Sequence, residues 1–128
     1  MIILLDTSQP TSYLTLIDRD KEYIDEWDSG RGLAKSLLVY LDKQLTSHNS
    51  SWKDLDYIGV KAGPGSFTGL RIGLTVMNTI AVNNKVPIVS GVGENWKDEV
   101  REKINLKKDE KVVLPVYDKG PNITVPKK

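Results

Sequence analysis

The chain has 128 residues, with 18 Lys and Arg against 17 Asp and Glu, one histidine and no cysteine. That length predicts a single domain able to bury a core without staples, and the near-neutral balance argues against a stand-alone nucleic-acid binder. The lack of cysteine excludes disulfides and thiolate chemistry, and the apolar runs are too short for a membrane span or a signal-peptide core, so a cytoplasmic protein is expected.

The chain opens on a continuous apolar run, residues 2–6, ending in Asp6. Such a run predicts a strand covered on both faces, hence a central one. Tyr13–Ile17 is rich in β-formers and predicts a second strand. A polar turn, Asp18-Arg19-Asp20-Lys21, leads to Glu22–Trp27, whose loose alternation fits an edge strand. The three strands form an antiparallel meander. Gly30–Leu45 follows, with Leu33, Leu37, Leu41 and Leu45 four apart and Ala34 and Leu38 beside them. This spacing predicts an amphipathic helix with a broad apolar face.

Leu55–Lys61 predicts a fourth strand, and residues 63–73, Gly-Pro-Gly-Ser-Phe-Thr-Gly-Leu-Arg-Ile-Gly, form the most informative run of the sequence. Glycines and a proline between a strand and a helix (about Thr68–Asn83) force a tight turn. Ser66 or Thr68 can cap the helix. Free N–H groups at such a junction suggest a phosphate site. Yet no Lys-Ser or Lys-Thr follows, so the run is not a Walker A loop, and G-x-G-x-x-x-G is one residue too long for the dinucleotide fingerprint. Gly69 and Gly73, four apart on one helix face, fit close backbone packing better. On the same helix Leu70, Leu74, Met77 and Ala81 form one stripe, and Ile72, Val76 and Ile80 another. An arc that wide exceeds what packing on one sheet requires, so its surplus should meet a second surface. Val86–Val89 predicts a fifth strand, Glu94–Ile104 a more polar helix, and Val112–Val116 a final strand before an extended, proline-containing end. Lys103, Lys107, Lys108, Lys111, Lys119, Lys127 and Lys128 gather late but interleave with acids up to Asp118, which fits a solvated surface.

The order βββαβαβα is that of a ribonuclease-H-like mixed sheet, in which an antiparallel set meets parallel crossovers. Within it, the eleven-residue run resembles the signature of the TsaB (YeaZ) family, a subunit of the machinery that makes threonylcarbamoyladenosine in tRNA. Ile3–Ser8, Pro87–Val92, Leu114–Tyr117 and Pro121–Ile123 resemble further segments of that family. The resemblance implies one lobe of the actin-like ATPase architecture, in which two such lobes normally pair. Residues 97–111 are too few to encode a second lobe, yet the tail motif follows at once. The expectation is a shortened form: core lobe 1–93, a helix and remnant over 94–111, and a C-terminal strand and tail over 112–128.

The resemblance also implies a non-catalytic scaffold that pairs with TsaD and supports threonylcarbamoyl transfer to adenosine 37 of tRNA. TsaE would join in a ternary complex, tRNA would be met only through the assembly, and a homodimer would form in isolation. The expected contact set is Leu33, Leu37 and Leu41 on the first helix and Gly69, Ile72, Gly73, Val76 and Ile80 on the second. The alternative is a single-lobe nucleotide-binding ATPase or kinase remnant. Its vestigial phosphate site would be Asp6, Thr7, Gly63, Gly65 and Ser66. Against it, Asp6-Thr7-Ser8 also fits a plain Asx or ST turn. No metal site or other cofactor is expected, since His48 is the only histidine and lies in a polar loop. No G-x-S-x-G elbow supports a hydrolase. The orientation of Arg71 is left open.

Overall fold

A computed structural model describes residues 1–28 and 32–116. The apolar run at the N-terminus forms β1 (Ile2–Asp6), with Ile3, Leu4 and Leu5 buried against opposite sides. It lies at the centre of a five-stranded sheet ordered β3-β2-β1-β4-β5. β2 (Thr11–Asp18) pairs antiparallel with β1, from Ile2 opposite Ile17 to Asp6 opposite Tyr13. β3 (Lys21–Asp28) pairs antiparallel with β2 and forms one edge. β4 (Tyr57–Gly63) and β5 (Ile88–Val92) add in parallel on the other side of β1. An antiparallel meander thus meets two parallel strands, the mixed sheet of a ribonuclease-H-like fold.

Helices α1 (Leu33–Ser47) and α2 (Phe67–Asn84) cover one face, and α3 (Trp96–Asn105) covers the other. The larger core lies under α1 and α2. Leu37, Leu41 and Leu45 from α1 and Leu74 and Met77 from α2 close over Ile3, Leu5, Leu14, Leu16, Ile58 and Val60. The smaller core sets Trp96 and Val100 of α3 on Leu4 and Val89. There Gly59 and Gly91 admit α3 closely: a Cβ at Gly59 would lie 2.5 Å from Val100 Cγ1, and one at Gly91 2.3 Å from Trp96 O. Among the described residues no helix is long and apolar enough to cross a membrane.

Three local differences from the sequence expectation have physical causes. The fourth strand starts at Tyr57 because a short 3-10 turn, Trp52–Asp54, is capped by Ser51 and Asp54 and uses Leu55 as its C-cap. Val86 does not begin β5. Its N–H closes α2 on Ala81 O after Lys85 turns left-handed at φ 55°, and the strand begins past Pro87. Residues 112–116 form no strand. They are anchored by separate bonds, Val113 to the side chain of Asn78 and Val116 N–H to Ala62 O. The start of the first helix expected at Gly30 lies outside the described residues, as do residues 117–128 of the tail.

Candidate functional site: a groove between two helices

The leucines of α1 cannot all face the sheet. At about 100° per residue, Leu37, Leu38 and Val39 point in three directions. Leu37 is buried, while Leu38 and Val39 are more than half exposed. On α2 the stripe of Leu70, Leu74, Met77 and Ala81 is buried, and Ile72 and Val76 sit half-covered on the flank toward α1. Between the helices this leaves an apolar trough. One stretch, of about 380 Å³, is lined by Ala34, Phe67, Thr68, Arg71, Ile72, Thr75 and Val76. The next, of about 350 Å³, is lined by Leu38, Trp52, Thr75, Val76, Thr79, Ile80, Asn83 and Asn84. Thr75 and Val76 line both, so the two adjoin. Among the described residues the lining holds hydroxyls and amides but no carboxylate or imidazole. Among them its cation is Arg71, whose guanidinium lies 5.1 Å from the centre of the Phe67 ring. Such a surface can bury apolar groups and take a carboxylate at its Arg71 end, but it offers no nucleophile paired with a base.

Of the expected contact residues, Ile72, Val76 and Ile80 line this trough. Leu33, Leu37 and Leu41 do not: they are buried beneath α1 in the chain's own core, and a side chain spent on the sheet has no surface left to offer. Gly69 and Gly73 also face inward. A Cβ at Gly69 would lie 2.4 Å from Thr7 O, and one at Gly73 2.1 Å from Thr7 Oγ1. The small residues admit the turn after β1, not another polypeptide. Phe67, Thr75, Thr79 and Trp52 were missed as lining residues. Phe67 was the hardest to foresee: three before Leu70 and seven before Leu74, its spacing fits the inward stripe, yet at the first helical position it is 54% exposed. Leu38 was visible, as the second of three consecutive apolar residues on a helix.

The residues of the expected phosphate site do come together, but they satisfy one another. Asp6 Oδ1 accepts hydrogen bonds from Ser8 N at 2.8 Å and Ser8 Oγ at 2.6 Å, an Asx turn. The other oxygen lies 3.9 Å from Lys61 Nζ. Thr7 Oγ1 donates to Gly69 O at 2.8 Å. Ser66 N–H donates to Ser8 O at 2.7 Å, and Ser66 Oγ caps α2 by accepting from Gly69 N–H. A Cβ at Gly65 would lie 2.5 Å from Ser8 O. Gly63, at φ 143°, gives its carbonyl to Gly93 N–H, and a Cβ there would meet Val116 O at 1.8 Å. The arrangement locks the β1–β2 turn under the start of α2.

The family model described as TsaD, tRNA N6-adenosine threonylcarbamoyltransferase, matches residues 28–92. The tRNA threonylcarbamoyladenosine biosynthesis protein TsaB of Bacillus subtilis is 33% identical over 90 residues, covering 68% of this chain and 38% of that protein. TsaB of Haemophilus influenzae is 29% identical over 89 residues, 69% of this chain and 37% of that protein. The solved structure of YeaZ from Pseudomonas aeruginosa superposes with a TM-score of 0.65 at 25% identity, over 72% of this chain and 42% of that one. The match therefore spans well under half the length of these relatives. By the glycine-rich junction, the mixed sheet and these likenesses, the chain belongs to the threonylcarbamoyltransferase (TsaD) family as that model defines it, and within it to the TsaB (YeaZ) branch.

Proposed function

We propose that this chain is a non-catalytic binding subunit in threonylcarbamoyladenosine formation on tRNA, and that it docks a TsaD threonylcarbamoyltransferase in the α1–α2 trough. The observation that carries this reading is the trough itself: apolar, shared between two helices and left open while their sheet-facing stripes are packed. An apolar surface of this kind on a small domain is what a protein partner covers. The names of the relatives place them in the same pathway. TsaE would join the pair as a third member, tRNA would be reached through the assembly, and without TsaD a second copy would occupy the trough. The single-lobe nucleotide reading has less support, because the Asp6 carboxylate and the Ser66 amide are already engaged by Ser8.

The test is to mix the full chain with its cognate TsaD and weigh the product by light scattering, with Leu38→Glu and Val76→Glu in parallel. A charge at the centre of a dry contact should weaken pairing by about 30-fold or more. A heterodimer unaffected by either variant would remove the trough from the contact. No heterodimer at all would overturn the reading.

A further inference from the structure

Charge is spread unevenly over the helices. α3 carries Lys97, Asp98, Glu99, Arg101, Glu102 and Lys103 within ten residues. α2 has Arg71 as the one ionisable side chain in eighteen. A charge on a helix surface is commonly answered three or four residues away. At that spacing Arg71 meets Phe67, Thr68, Leu74 and Thr75, none of them acidic. Other cations that lie against the fold have mates. Arg101 donates to Glu22 at 2.9 Å, Lys103 donates to Glu110 at 2.7 Å, and Lys61 lies 3.9 Å from Asp6. Among the described residues Arg71 has no carboxylate within ion-pair reach, and its guanidinium rests over the Phe67 ring.

The place of this charge matters as much as its isolation. Arg71 lines the trough beside Ile72, Thr75 and Val76. Ala34, the second residue of α1, lines the same stretch as Phe67 and Thr68, so both helices begin at this end. Neither helix has an acid in its first turn. The positive ends of two helix dipoles therefore add to the guanidinium. At the other end the lining passes to Trp52, Ile80, Asn83 and Asn84, which carry no charge. The trough is thus apolar along its length and positive at one end. Stacking uses the face of a guanidinium and leaves its in-plane N–H donors available, so two parallel hydrogen bonds to a carboxylate remain open to Arg71.

We infer that the surface of TsaD that enters the trough carries a carboxylate among apolar side chains, and that this carboxylate forms a forked ion pair with Arg71. The inference rests on the reading that TsaD docks here. Apolar contact supplies the hold, and the charge sets the direction. Of the two ways to lay an apolar segment along the trough, one brings its carboxylate to the positive end. The reverse strands Arg71 against apolar atoms, which a buried charge does not tolerate. Arg71 is in this sense the residue that selects the partner and its orientation.

The test measures heterodimer affinity by calorimetry between the full chain and its cognate TsaD, with Val76→Glu in parallel. Arg71 is exposed, so its variants should keep the urea midpoint of the parent and report binding alone. Arg71→Met should weaken pairing by about tenfold or more and flatten its dependence on salt between about 50 and 500 mM. Arg71→Lys, which keeps the charge but not the fork, should fall between the two. Arg71→Glu should abolish pairing, and one member of a panel in which each surface carboxylate of TsaD is reversed to Lys should restore it. If Val76→Glu breaks the pair while Arg71→Met stays within about twofold at an unchanged salt slope, the trough is the contact and the carboxylate is overturned. A loss in Arg71→Glu that no reversal restores also overturns the ion pair. If neither Val76→Glu nor Arg71→Met matters, the docking reading itself falls. If Arg71→Met instead dissolves a homodimer of the chain alone and leaves TsaD binding intact, the carboxylate belongs to a second copy and the inference fails.

Discussion

The two helical layers bury similar side chains but face solvent differently. Over α3 the outer surface is finished in charge: Arg101 pairs with Glu22 at 2.9 Å, Lys103 with Glu99 and Glu110, and Lys97 Nζ donates to Thr15 Oγ1 at 2.9 Å. Over α1 and α2 the outer surface keeps Leu38, Val39, Phe67 and Val82 in water around an apolar trough. Both helix sets satisfy the sheet beneath them, so packing does not explain the contrast. The α3 layer is built to end in solvent, whereas the α1–α2 layer retains apolar area that solvent does not reward.

That contrast can be broken most severely from beneath. Gly73→Val would drive a side chain into Thr7, and Leu41→Ala would open a cavity in a fully buried site. Each should cost about 2–5 kcal/mol in urea unfolding. Leu38→Glu sharpens the comparison, because it should leave the urea midpoint nearly unchanged while cutting partner binding by about 30-fold. If stability falls as far as in Leu41→Ala, the outer face is part of the core after all.

The α3 side should respond to pH instead. Burial would raise the Glu110 carboxyl, but hydrogen bonds from Lys103 and Ser90 outweigh it and hold the group below its ordinary value. Asp109 is also lowered, with burial outweighed by the amides of Lys111 and Ile88. A depressed carboxylate contributes stability above its unfolded pKa and loses it as pH falls through the folded one. Acid titration below the usual carboxylate range should therefore loosen 106–116, and Glu110→Gln should flatten that part of the curve. At the alkaline end, burial and then the hydrogen bond to Asp25 raise Tyr40. Its stabilisation is complete below the ordinary tyrosine pKa and fades as pH climbs toward the raised one. An ultraviolet titration should show part of the tyrosine signal appearing above the ordinary tyrosine range, and Tyr40→Phe should remove that part. The smallest effect belongs to the exposed Arg101–Glu22 pair, where Arg101→Ala should cost under about 1 kcal/mol.

Much of the fold was legible because its periodicities are strong. The apolar run 2–6, the four-residue leucine spacing and the glycine-rich junction each led to an element with nearly the bounds expected. The trough was half legible. Ile72 and Val76 stood out as a surplus stripe, but the leucines of α1 were assigned outward because a pattern states how wide an apolar face is and not which part the sheet consumes. The course of residues 106–116 was illegible. Asp109 and Glu110 lie in a run of mixed charge that looks like any solvated surface, and only the tertiary return of the chain past α3 sets them on β5. The strand expected at 112–116 failed for a related reason: its β-forming residues find single anchors on Asn78 and Ala62 rather than a partner ladder.

Thr7 sits under α2 like a wedge in a notch. With hydrogen in place of a side chain at 69 and 73, the helix rides lower against the turn than any alanine there would permit. Raising it would lift Ile72 and Val76 with it, and the channel they border would change depth. The outline of the trough is therefore set by a buried hydroxyl that takes no part in its lining.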